Sequence, residues 1–168
     1  MEIKCFARDF LPNKPPSNTI LISINNYKQG NVKNNYEDCL YLTFDDITFK
    51  HNPYILFNKS HFNQIIYFVT KHKGKNIHIN CTAGISRSGA IALGIAMYYN
   101  DKELYWETLK NNMIIPNDYI LSYFQLKFKR VWFSWFNTVN MIINKRKNNA
   151  IDKIIQSEVV GNDIIRNY

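Results

Sequence analysis

The sequence predicts a single α/β domain with a mostly parallel central sheet flanked by helices. Short β-branched or apolar runs at 19–24 (TILISI), 39–44 (CLYLTF) and 76–80 (NIHIN) read as strands. Longer stretches with apolar residues at helical spacing alternate with them, the pattern of strand–helix–strand units. The chain has 168 residues, 46% of them apolar and 15% aromatic, which is one domain's length with material for one sizeable core.

The elements follow in chain order. The run at 19–24 is bounded on its far side by the polar, Asn-rich stretch NNYKQGNVKNNYED, which reads as a loop before the strand at 39–44. Residues 60–73 carry Phe62, Ile65, Ile66 and Val69 at i, i+3, i+4 and i+7, so one helical face is apolar. Gly74 stands where a helix C-cap is expected. The strand at 76–80 runs into CTAGISRSG and then into the apolar helical run AIALGIAMYY. A further helix is expected at 102–112, and Pro116 marks the turn before a long helix from Asn117 to about Lys145. The expected core covers about 19–145, with a polar C-terminal extension over 146–168.

Composition excludes several classes. Five prolines and six glycines do not make a fibrous or low-complexity chain. Lysine and arginine exceed the acidic residues by 8, a charge that attracts phosphoesters, nucleic acid, acidic lipid or acidic proteins without choosing among them, and a solvated basic surface is the expectation over a dedicated polyanion site. Three cysteines, Cys5, Cys39 and Cys81, form no even-numbered disulfide framework and suit a reducing compartment. The N-terminus MEIKCFARDF has no secretory pattern, and no apolar run is long enough to span a bilayer. A soluble, cytoplasmic protein with no membrane insertion is expected.

The chemistry is concentrated between Cys81 and Ser88. A strand ends and a helix begins within eight residues, so the connecting loop must curl tightly, and Gly84 permits positive φ there. Backbone N–H groups of such a loop point inward, and the helix N-terminus adds partial positive charge, which together make an anion cradle. Its candidate phosphate-binding residues are Thr82, Ala83, Gly84, Ile85, Ser86 and Arg87. Cys81 stands at the start of the cradle, where the same groups favour a thiolate. The planar fork of Arg87 suits two phosphate oxygens. The hydroxyl of Ser88 can donate to the sulfur as it leaves.

On these residues, Cys81 to Ser88 resembles the C-x5-R-[ST] signature loop of protein tyrosine phosphatases. The wording AGISRSG is most similar to the dual-specificity branch and its small bacterial, phage and viral relatives. Two further segments resemble that branch: IIPND at Ile114–Asp118, which opens a helix, and Phe44-Asp45-Asp46 after a strand, where the family carries its general acid. The resemblance covers roughly residues 19–130. It implies that Cys81 attacks phosphorus to form a phosphocysteine, that Arg87 holds the phosphoryl group, and that Asp46 protonates the leaving oxygen and later activates water. Asp46 rather than Asp45 aligns with the family's acid; Asp45 reads as a turn-capping carboxylate. No metal or other cofactor is implied. The sequence departs from the family at Asn80, where a His usually precedes the nucleophile. A neutral amide there supplies no cation, though it can donate to nearby backbone; His78 shares its side of the strand, displaced along it.

The length leaves no room for the large insertions of the tyrosine-specific enzymes, which suggests a shallow pocket open to phosphoserine and phosphothreonine as well. The expected substrate is a phosphorylated protein. The alternatives are the 5′-triphosphate end of RNA, which the net charge suits, and a catalytically weak phosphoprotein-binding module. Trp132, Trp135, Phe136, Val139, Ile142 and Ile143 form one face of a helix that ends in Lys145-Arg146-Lys147, and packing on the protein's own core is the expectation over a membrane or partner face. Cys5 and Cys39 read as inert thiols, the alternative being a reversible disulfide with Cys81.

Overall fold

The computed structural model describes residues 1–26, 35–128 and 140–153. The chain divides into two compact units, residues 1–131 and 132–168. The first unit holds four strands, β1 (Ile3–Ala7), β2 (Thr19–Asn25), β3 (Cys39–Thr43) and β4 (Asn76–Cys81). Its helices are α1 (Lys59–Lys71), α2 (Arg87–Tyr98), α3 (Lys102–Asn111) and α4 (Asp118–Phe128), with a 3-10 turn at Arg8–Phe10.

The strands form one sheet in the order β1-β4-β2-β3, and every pairing among them is parallel. Parallel strands are covered on both faces, so the two central ones are buried almost throughout: β2 reads as a near-continuous apolar run, whereas β4 alternates Asn76, His78 and Asn80 with Ile77, Ile79 and Cys81. All seven residues of β2 are buried, and so are residues 77–81 of β4. The strands expected at 19–24, 39–44 and 76–80 are β2, β3 and β4. The expected core, starting near residue 19, did not include β1. Ile3–Ala7 is only five residues long, contains Lys4, and buries only Ile3. Its strand character comes from pairing with β4, which no local pattern reveals.

Helix α1 starts at a capping box, in which Asn58 accepts from the backbone of Ser60 and His61 while His61 Nδ1 accepts from Asn58 N–H. Phe62, Ile65, Phe68 and Val69 form its buried face, Ile66 being half-buried. The helix ends at Lys71, and Gly74 takes φ +87° in the turn beyond. Helix α2 is the central one: Arg87 through Met97 are all buried. It packs on β1 and β4 and carries α3 and α4 against its other sides. The long helix expected over 117–145 is α4 up to Phe128. Residues 129–139, with Trp132, Trp135, Phe136 and Val139, lie outside the described residues. In the second unit residues 140–153 are helical, with Ile143 buried and Ile142 half-buried.

Candidate active site

The C-terminal edge of the sheet is where parallel strands present loops and helix N-termini together. β4 ends at Cys81 and α2 begins at Arg87. The intervening loop turns on Gly84, whose φ is +72°. A Cβ on Gly84 would stand 2.3 Å from the Ala7 nitrogen and 2.3 Å from the Phe6 carbonyl carbon, so only glycine fits. Arg8 N–H donates to Thr82 O at 3.3 Å. The loop is thus backed by the end of β1.

Cys81 is 2% exposed. Gly84 N–H donates to its sulfur at 3.2 Å, and Ser88 Oγ lies 3.3 Å from it. Burial pushes the thiol up. The hydroxyl and backbone N–H of Ser88, the Arg87 charge and the Gly84 N–H outweigh that and hold it below the ordinary cysteine value.

Arg87 is 3% exposed. Its Nη1 donates to Phe44 O at 2.8 Å and to Asn26 Oδ1, and its Nη2 donates to Thr82 Oγ1 at 2.8 Å. Its buried Nε has no partner among the described residues. Thr82, Ala83 and Ile85 are exposed around the cradle while Gly84 is buried. The side chain of Ser86, at the N-cap of α2, makes no cap bond. Its hydroxyl donates instead to Asp46 Oδ1 at 2.8 Å, so it caps none of the helix's first N–H groups.

The two aspartates are separated by their partners. β3 ends at Thr43, so Asp45 and Asp46 lie in the following loop and not on opposite faces of a strand. Asp45 Oδ2 accepts Ile55 N–H at 2.7 Å, the turn-capping arrangement. Asp46 is brought to the signature loop through Ser86, and its Oδ1 also accepts Asn117 Nδ2–H at 2.7 Å. The fold therefore gathers Cys81, Arg87, Ser88 and Asp46 at one edge.

No family model matches the chain, and no curated protein matches it in sequence.

Asn80 is 0% exposed, and neither its Oδ1 nor its Nδ2 has a partner among the described residues. The expected bond to backbone is absent there. Its neighbours in register are Phe6 and Ser23, and Ser23 Oγ is likewise unpartnered. His78, on the same side of β4, lies against Phe6 with the two rings tilted by 55° and meets Tyr36 Oη through Nδ1 at 2.7 Å. Burial first, then the Lys4 charge, hold it down at about 4 against the pull of Glu2, so it is neutral and supplies no cation to the nucleophile. Cys5, Cys39 and Cys81 carry no disulfide. Burial and the neighbouring Cys81 thiolate push the Cys5 thiol up to about 12, opposed by a hydrogen bond with Ser88.

Sequence reasoning misses Asn26 and Asn117 as members of this site, and names Cys5 only as an inert thiol or a disulfide partner of Cys81. Asn117 has a signal, since it lies in the IIPND segment. Asn26 has none, because it meets Arg87 from a distant part of the chain. Among the described residues no group of three or more His, Cys, Asp or Glu side chains is placed to hold a metal ion, and no helix is long and apolar enough to cross a membrane.

Proposed function

We propose that this chain is a cysteine-dependent phosphatase that hydrolyses phosphotyrosine, and phosphoserine and phosphothreonine with it, in protein substrates. One observation carries the reading. A buried guanidinium with an unpartnered Nε stands in the same loop as a cysteine held toward its thiolate. A lone buried donor of this kind is costly unless a ligand completes it. A phosphoryl oxygen is the ligand whose charge and geometry fit.

The chemistry runs in two displacements. Cys81 sulfur attacks phosphorus, the P–O bond to the substrate breaks, and the Asp46 carboxyl gives its proton to the leaving oxygen. The Asp46 carboxylate then takes a proton from water as the water attacks the phosphocysteine, and the thiolate leaves toward the Ser88 hydroxyl. Arg87 and the loop N–H groups hold the equatorial oxygens in both steps.

The test is a phosphopeptide panel, with a triphosphate-ended RNA as a separate arm, run with the wild type and Cys81→Ser. Phosphopeptide turnover by the wild type and none by Cys81→Ser, with phosphopeptide binding kept, is expected. Turnover of the RNA alone would transfer the reading to an RNA 5′-triphosphatase. Binding without turnover by the wild type would make the chain a phosphoprotein-binding module.

A further inference from the structure

Asn117 is 6% exposed and sits between three segments that the reaction needs in register. Its backbone N–H donates to Ser86 O at 3.2 Å, which ties it to the signature loop. Its Oδ1 accepts Ile120 N–H at 3.1 Å, which makes it the N-cap of α4. That bond also fixes which end of the amide is oxygen. Its Nδ2 has two hydrogens: one goes to Asp46 Oδ1 at 2.7 Å, the other to Ile47 O at 3.4 Å. Every polar atom of the side chain is used: the oxygen on the first turn of α4, the nitrogen on the Asp46 carboxylate and the backbone beside it.

The consequence falls on Asp46. Its Oδ1 accepts two donors, Asn117 Nδ2–H and Ser86 Oγ–H. A carboxyl oxygen has two lone pairs, so both are occupied. A proton on this carboxyl must then reside on Oδ2. We infer that Asn117 is a positioning residue that locks the Asp46 loop onto the signature loop and makes Oδ2 the oxygen that delivers the proton. The inference rests on the phosphatase reading and adds to it the group that aims the acid. Without Asn117 the exposed Asp46 carboxyl keeps only the Ser86 bond, and the proton can sit on either oxygen.

The experiment compares two aryl esters, 4-nitrophenyl phosphate and phenyl phosphate, whose leaving groups need little and much protonation respectively. The readout is the ratio of their kcat/KM values. Asn117→Ser keeps a good N-cap for α4 but is too short to reach Asp46. Its ratio should rise by about tenfold, a part of the 10²–10⁴ that general acids typically contribute. In an Asp46→Asn background the same substitution should leave the ratio unmoved, because there is no proton left to aim. A merely structural role would lower both rates together and leave the ratio alone in either background. An Asn117→Ser ratio equal to that of the wild type overturns the inference while the phosphatase reading stands. So does a rise that persists in the Asp46→Asn background. A wild type that turns over neither ester overturns the phosphatase reading and this inference with it.

Discussion

The Ser88 hydroxyl lies 3.3 Å from the Cys81 sulfur, in the first turn of the helix that follows the loop. It is the largest of the influences that draw the thiol down against burial. Ser88→Ala should therefore raise the thiol pKa, seen as a shift to higher pH of the iodoacetate alkylation midpoint. The wild-type midpoint should lie below the free-cysteine value of about 8.5. The variant should also release the phosphorylated enzyme more slowly, giving a burst with 4-nitrophenyl phosphate. An unmoved midpoint would mean that the hydroxyl does not donate to the sulfur.

Arg87→Lys removes the Nε donor and the planar fork while keeping the charge. The bonds to Phe44 O, Asn26 and Thr82 come from two different nitrogens, and a single ammonium cannot reproduce them. A fall in kcat/KM of at least about a hundredfold is expected, the typical loss when one fixed donor to a developing oxyanion is removed. Steady-state kinetics on an aryl phosphate checks it.

Asn80→His tests the residue by which this loop departs from the phosphatase pattern. An imidazolium here would favour the thiolate, and the neutral amide supplies no such cation. The position is fully buried, on the same side of β4 as His78, which burial holds at about 4. A histidine placed there should stay neutral at pH 7, and the alkylation midpoint of Cys81 should stay close to that of the wild type. A drop of about one unit would show a charged imidazole beside the sulfur, since opposite charge favours the thiolate.

His78 itself predicts an acid-labile fold. Its folded value of about 4 lies below the ordinary value of 6.5. Between those two pH values the unfolded chain binds a proton that the folded chain does not, so stability is full above about 6.5 and falls as pH drops toward 4. The whole span corresponds to about 3 kcal/mol. Urea unfolding at pH 7 and pH 4.5 should show a smaller loss on acidification for His78→Gln than for the wild type. An equal loss would place the acid sensitivity elsewhere.

What was legible in the sequence was local. Cys81, Gly84, Arg87 and Ser88 lie within eight residues, and the strand and helix around them have strong patterns of their own. β2 and β4 are legible because β2 carries a β-branched, mostly apolar run and β4 carries Ile77 and Ile79 directly before the Cys81 loop. β1 is not, since five residues with a lysine in second place become a strand only beside β4. The turn-capping reading of Asp45 holds, since its carboxylate accepts Ile55 N–H, while the partners that set Asp46 apart, Ser86 and Asn117, come from distant segments and leave no local pattern. The isolation of the Asn80 amide could not be read at all, because it depends on what Phe6 and Ser23 leave around it.

The backing of Gly84 by Phe6 and Ala7 has a consequence for biosynthesis. β1 leaves the ribosome first, yet its partner among the described strands, β4, follows about 70 residues later. Closing a loop of that length costs entropy that only the finished sheet recovers. Until then β1 has no neighbour and the phosphate loop has no rear wall. Nascent or C-terminally truncated chains that stop before Cys81 can hold β2 and β3 together but no cradle. On the proposed phosphatase reading, anion binding appears only when the sheet is complete, and a phosphate analogue added during refolding would bind and pull forward only the last step.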